Sequence, residues 1–150
     1  MREWKNSPGH AAWIVEFVVI LSSCATTAEY GTFLRGHESA QYAIAADAAG
    51  KLAAEYTPDG RAIRLERQPD DLFGARFATE LRKKGYSLQD GEAVATGPAL
   101  HLRYVLDAIK GTDLFRLSIF LPRRRLSRAY AERSAQVFPS GPWCVEVQND

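Results

Sequence analysis

Two stretches in the C-terminal half of the chain alternate apolar and polar side chains, and this alternation constrains the fold more than any other feature. In residues 100–107, LHLRYVLD, every second side chain from Leu100 is apolar. In residues 114–121, LFRLSIFL, the same pattern runs from Phe115. A period of two residues is that of a β-strand with one buried face, so both stretches are predicted strands. The KGTD turn between them is too short for a crossover, which favours antiparallel pairing.

Two segments that precede these strands have helical spacing. Residues 39–56 are rich in alanine and place apolar side chains four positions apart, with Ser39 as the expected N-cap. A second helix is predicted to begin at Asp70 and Asp71, because acids stabilise the positive end of a helix, and to end at Gly85. The apolar stripe of this second helix consists of Phe73, Phe77 and Leu81.

Shorter runs complete the predicted sheet. Residues 61–67 and 86–88 read as short strands, residues 126–139 as a hairpin and residues 142–147 as a closing strand. The predicted fold class is therefore α+β, with two helices packed on one side of a mostly antiparallel β-sheet and a meander in the C-terminal half.

The N-terminus has a different character from the rest of the chain. A polar start with two basic residues precedes residues 11–23, which are mostly apolar and end at Cys24. This run is shorter than the roughly 20 residues that a spanning helix needs. It has the length and the small C-terminal residues of a secretory signal peptide, although Glu16 costs about 2.5–3.5 kcal/mol on an insertion scale. An uncleaved membrane anchor and a buried N-terminal helix are the two alternatives.

The sequence Leu21-Ser22-Ser23-Cys24 resembles the lipobox of bacterial lipoproteins. That resemblance implies cleavage before Cys24 and acylation of this residue, and Ala25 in place of an aspartate favours sorting to the outer membrane. The predicted organisation is a signal peptide over residues 1–23, a tether or docking arm over residues 24–38 and one α+β periplasmic domain over residues 39–150.

The remaining sequence contains few candidates for catalysis or metal binding. The net charge of +1 provides no reason to expect direct contact with nucleic acid. We find no nucleophile elbow, P-loop or dinucleotide fingerprint, and His37 and His101 have no cluster of ligands around them. We expect no enzymatic activity, no cofactor and no metal. Asp70 and Asp71 are explained as helix-capping acids, and Cys144 as a buried free thiol.

One group of basic residues is a candidate for binding. The segment PRRRLSR places several arginines close together after a predicted strand. In a membrane-tethered protein they are candidates for contact with lipid head groups or an acidic partner, whereas a solvated turn is the simpler interpretation. These arginines are Arg123, Arg124, Arg125 and Arg128.

An ordered set of segments resembles the TrbH family of conjugal-transfer lipoproteins. The set runs from LSSCATTAEYG through an alanine-rich helix, DDLFGARFATELRKKGYSL, LRYVLD, LFRLSIFL and LSRAY to PSGPW. This resemblance implies a structural component of a conjugative type IV secretion apparatus, anchored in the outer membrane through Cys24 and facing the periplasm. The implied partners are the outer-membrane core subunits of the secretion channel. The alternatives are an envelope lipoprotein that binds a small ligand or protein partner, an envelope hydrolase of unconventional sequence, and a soluble cytoplasmic domain whose first helix is buried.

Overall fold

The computed structural model describes residues 30–66, 71–89 and 98–148. Within these ranges, two helices and an eight-stranded, mostly antiparallel sheet confirm the predicted α+β class. In chain order the elements are β1 (Gly31–Thr32), α1 (Glu38–Glu55), β2 (Ile63–Leu65), α2 (Leu72–Lys83), β3 (Leu88–Gln89), β4 (Leu100–Ala108), β5 (Leu114–Leu121), β6 (Arg124–Arg133), β7 (Gln136–Pro139) and β8 (Cys144–Val147).

The sheet combines an antiparallel meander with a parallel edge. Strands β4 to β7 follow one another in space as in sequence, each antiparallel to the last. Strand β8 returns to the same edge of β6 as β7 and pairs with its N-terminal half. Strands β1 and β2 share the free edge of β4, and β3 extends the sheet beyond β2, all in parallel. The parallel pairing of β2 with β3 follows from the helix α2 between them, which carries the chain back to the same end.

The predicted alternation in β4 and β5 corresponds to a buried face. Leu102, Tyr104 and Leu106 of β4 are fully buried. Tyr104 and Leu106 pair with Ile119 and Leu117 of β5. Tyr104 contacts the rings of Phe73 and Phe77, so α2 packs on this face. The other face of the sheet, which we call the uncovered face, carries the alternate residues of these strands.

Helix α1 packs closely because its buried side chains are small. Four of its alanines are fully buried beside Ile44 and Leu52, and such small side chains allow the helix axis to lie near its neighbours. The helix begins one residue before the expected Ser39 cap. The N-cap is His37, in the left-handed region at φ 54°, and no side chain caps the first turn.

Candidate functional site

The predicted lipidation site lies outside the described residues. Residues 1–29, which include the predicted signal peptide and Cys24, are not part of the described ranges. Of the segment predicted as a tether, the structure describes Tyr30 and the residues that follow it, and these residues form part of the domain. Gly31 and Thr32 form β1 on the edge of β4, and Leu34 is buried in the core.

A buried carboxylate joins this first strand to the rest of the fold. Asp71 is the N-cap of α2, and its Oδ1 accepts a hydrogen bond from the backbone N–H of Gly74 at 2.9 Å. Its Oδ2 accepts from the backbone N–H of Thr32 at 2.9 Å and from the Tyr104 hydroxyl at 2.6 Å. The capping role predicted for Asp71 is confirmed. Asp70, its predicted companion, lies outside the described residues.

The four arginines of the predicted cluster do not share one surface. Because side chains alternate along β6, Arg124 and Arg128 lie on the helix-covered face and Arg125 on the uncovered face. Arg125 donates through Nη2 to both carboxylate oxygens of Glu146, at 2.9 and 2.7 Å. Arg123 lies in the turn before β6, in the left-handed region at φ 64°. One ligand or partner surface could therefore not contact all four arginines at once, and the predicted contact with head groups or a partner applies to each arginine separately.

Arg128 holds the last part of the sheet in place. Its Nη1 lies 2.9 Å from Oδ2 of Asp47 in α1, and its Nε donates to the backbone carbonyl of Gly141 at 2.8 Å. Its guanidinium also lies 5.7 Å from the ring of Trp143. These contacts attach the segment between β7 and β8 to the helix side of the sheet. Periodicity did not reveal Asp47 as its partner, since the two residues are 81 positions apart.

Asp47 also accepts a hydrogen bond from a buried tyrosine. The Tyr130 hydroxyl donates to Oδ2 of Asp47 at 2.7 Å, and the Tyr130 side chain is almost fully buried. Burial, with this hydrogen bond and the charge of Asp47, raises the pKa of Tyr130 well above its ordinary value of 10. Asp47, Arg128 and Tyr130 therefore have a structural role, because each of their polar atoms named here already has a hydrogen-bond partner within the fold.

The two histidines of the described chain have separate surroundings. The His37 ring lies 2.6 Å through Nδ1 from Oε2 of Glu132 and packs edge-on against Phe115. His101 lies on the uncovered face with its side chain 56% exposed, 3.6 Å from Glu66. Among residues 30–66, 71–89 and 98–148, no group of three or more His, Cys, Asp or Glu side chains could hold a metal ion. No helix within the same ranges is long and apolar enough to cross a membrane.

The outer edge of β8 is the strongest candidate for an interaction site. Val145 and Val147 lie on the helix side of β8 but beyond the cover of the helices, and they are 43% and 67% exposed. In the described part of the chain, β8 pairs with β6 alone. Cys144 is free and exposed on the uncovered face opposite Ser127, so the prediction of a buried thiol is wrong. The exposure of Cys144 was not readable from the alternation, because it depends on which face of the sheet the helices cover.

The backbone groups of β8 that point outwards can be assigned from its pairing. The N–H of Gln148 donates to the carbonyl of Arg123 at 2.9 Å, so the N–H of Gln148 points towards β6. Along an antiparallel strand the direction alternates with each residue. The N–H and C=O groups of Val145 and Val147 therefore point away from β6, towards the open edge.

Comparison with known proteins identifies one family. Residues 27–149 match the family model described as "Conjugal transfer protein TrbH". Neither a curated protein nor a solved structure matches the chain.

Proposed function

The chain belongs to the TrbH family of conjugal transfer proteins, and on that premise we propose that it is a lipid-anchored structural component of a conjugative DNA-transfer apparatus. In this proposal the chain is held in the outer membrane through an acylated Cys24, with the α+β domain on the periplasmic face. Its partners are other subunits of the outer-membrane core of the transfer channel. The protein acts by binding them and performs no catalysis.

The observation that carries this proposal is the open edge of β8. An extended segment from a partner subunit would pair with the outward N–H and C=O groups of Val145 and Val147 and would cover their exposed side chains. Main-chain hydrogen bonds of this kind provide affinity, and the apolar side chains select the register. No described strand pairs with this edge of β8. An edge that exposes two valines in this way is a liability for a sheet, which favours a partner.

The interior of the domain supports a structural role. The buried carboxylate of Asp71 accepts three hydrogen bonds from groups of the chain itself. Asp47 is engaged by Arg128 and Tyr130 in the same way. Because these carboxylates already accept hydrogen bonds from the chain, they hold its helices and strands together. Such a structural role of buried polar residues suits a domain that acts by docking.

The anchor is supported by the position of Cys24 after a mostly apolar run of 13 residues. Each buried methylene of an acyl chain contributes about 0.8 kcal/mol, so two or three chains hold a protein firmly at a bilayer. Only six residue steps separate Cys24 from Tyr30, where the described domain begins. Acylation at Cys24 would therefore hold the domain close to the membrane.

The docking edge is tested by removing one hydrogen-bond donor. Val147→Pro removes an N–H that points to the open edge and leaves the bonds between β8 and β6 in place, and proline is tolerated at such positions. In a donor strain lacking the wild-type gene, we expect this variant to lose transfer and to stop capturing channel subunits after mild detergent extraction. Val147→Thr keeps the N–H and is the matched control, with transfer near wild type. Wild-type transfer by a folded Val147→Pro variant would contradict the docking edge.

A further inference from the structure

A phenylalanine ring is exposed on the uncovered face, where β6 pairs with β7. Phe138 of β7 is 48% exposed and lies opposite Ala131 of β6, whose methyl group is too small to cover the ring. Single exposed apolar side chains are common on protein surfaces, so the ring alone does not mark a binding site. The cavity and the charge beside Phe138 distinguish it from such side chains.

A cavity of about 370 Å³ opens beside this ring, and we call it the β7 notch. The described residues that line the notch are Ala131, Arg133, Phe138, Pro139 and Ser140. Arg133 is the only charged residue among them. The β7 notch therefore combines an apolar wall with one positive charge.

The charge of Arg133 favours a carboxylate from outside the domain. In the described part of the chain, no ion pair or hydrogen bond engages its guanidinium. A guanidinium can donate two parallel hydrogen bonds to one carboxylate, which makes this group its best complement. The three acids within strands β4 to β8 are held by other side chains, in the pairs Asp107–Arg116, Glu132–His37 and Glu146–Arg125.

The edge of β7 is poorly suited to strand addition, so recognition at the notch depends on side chains. The N–H of Ser140 donates to the carbonyl of Ala129 at 2.8 Å and therefore points towards β6. Because this direction alternates along an antiparallel strand, the backbone of Pro139 faces outwards. Proline has no N–H to offer to a neighbouring strand, and it protects sheet edges for this reason.

The positions of Arg133 and Phe138 set the spacing that a partner has to match. Arg133 pairs with Gln136, so Phe138 is its diagonal neighbour, two residues further along β7. Diagonal neighbours in an antiparallel pair are about 7–8 Å apart. In an extended chain, residues i and i+2 lie on the same face about 7 Å apart. A carboxylate and an apolar side chain with one residue between them therefore match the notch.

We propose that the β7 notch binds an extended segment of a partner protein that carries a side-chain carboxylate and, two residues away, an apolar side chain. The carboxylate pairs with the guanidinium of Arg133, and the apolar side chain packs on the ring of Phe138. Arginine and aromatic residues are enriched among those that contribute most to binding at protein interfaces. The site goes beyond the proposed function, because neither the open edge of β8 nor the anchor at Cys24 contributes to it.

Nuclear magnetic resonance of the isotope-labelled full chain, kept in mild detergent, tests the notch with short peptides. The first probe is acetyl-Ser-Asp-Gly-Phe-Ser-amide, in which one residue separates the acid from the ring and both ends are uncharged. The second probe has Asn in place of Asp and tests the charge. The third, acetyl-Ser-Gly-Asp-Phe-Ser-amide, has the composition of the first and tests the spacing.

The first peptide should shift the amide signals of Ala131, Arg133 and Phe138 and should bind more tightly than the third. It should bind about tenfold more tightly than the Asn peptide, because its acid accepts hydrogen bonds from a charged group. Arg133→Glu should reverse this preference in favour of a peptide with Lys in place of Asp, and Phe138→Ala should weaken the binding of every probe. The control Arg61→Gln removes an exposed arginine outside the notch and should behave as wild type.

Four results would overturn the inference. Equal affinity for the Asp and Asn peptides would contradict the role of Arg133, and equal affinity for the first and third peptides would contradict the extended spacing. Shifts confined to Val145 and Val147 would place the peptide on the open edge of β8. Shifts at the notch when the chain alone is diluted would indicate a second copy as the occupant. None of these results would contradict the docking edge of β8 or the anchor.

Discussion

The hydroxyl of Tyr104 in the central strand β4 donates a hydrogen bond of 2.6 Å to the carboxylate of Asp71, the residue that caps α2. The same carboxylate oxygen accepts from the backbone of Thr32 in β1. One buried acid therefore joins the start of a helix to two neighbouring strands. This joint incorporates the residues that follow Tyr30 into the domain.

Removing the Tyr104 hydroxyl should weaken this joint without changing the apolar packing. Tyr104→Phe removes a hydrogen bond to a charged group, and we expect the free energy of unfolding to fall by about 1.5–3 kcal/mol. Urea denaturation of the full chain measures the change. Tyr42→Phe is the control, because Tyr42 is 41% exposed, and its effect should stay within about 0.5 kcal/mol. Equal stability of the wild type and Tyr104→Phe would contradict the joint.

The contact between Asp47 and Arg128 should appear as an energetic coupling. The pair is partly exposed, with side-chain exposures of 34% and 18%, so solvent screening reduces its strength. A double-mutant cycle with Asp47→Ala and Arg128→Ala should give a coupling of about 1 kcal/mol. Purely additive effects in urea denaturation would show that the contact does not contribute to stability.

Gly50 offers a stabilising substitution within α1. Its backbone is helical, and a Cβ at this position meets no atom within 4 Å. Gly50→Ala should therefore raise the free energy of unfolding by about 0.5–1 kcal/mol, because alanine loses less conformational entropy in a helix. Gly85→Ala should do the opposite, since Gly85 has φ 88° at the end of α2. A higher melting temperature for Gly85→Ala than for the wild type would contradict this assignment.

Tyr130 should make the fold sensitive to alkali. Burial and its bond to Asp47 raise the pKa of Tyr130 above its ordinary value of 10. The unfolded chain therefore releases this proton at a lower pH than the folded chain. The resulting stability is fully present below pH 10 and is lost as the pH rises above it. Unfolding free energies measured on both sides of pH 10 should show a steeper decline for wild type than for Tyr130→Phe; parallel declines would contradict the assignment.

The longer elements were predictable because each contains its own periodicity. The alternation in β4 and β5 and the stripe of Phe73, Phe77 and Leu81 in α2 all correspond to buried faces. Strand β1 has only two residues, too few for a period, and its place beside β4 involves backbone pairing and the bond between Thr32 and Asp71, which are contacts with distant parts of the chain. A tether was therefore the natural interpretation of that segment.

Features that depend on distant parts of the chain were not predictable. His37 takes the N-cap position of α1 in place of Ser39, and its ring contacts Glu132 on β6. Cys144 is exposed because it lies on the face of β8 that no described helix covers. The apparent arginine cluster separates because neighbours along a strand point to opposite faces of the sheet. In each case the tertiary arrangement decides the environment of the residue.

Metabolic labelling with a palmitate analogue tests the lipid anchor most directly. The full chain and its Cys24→Ala variant are expressed in a Gram-negative host, and the label on each purified chain is compared at equal protein. We expect label on the wild type, its loss in Cys24→Ala, and the wild-type chain in the outer-membrane fraction. Equal labelling of the two chains would contradict acylation at Cys24 and, with it, the proposed placement at the membrane.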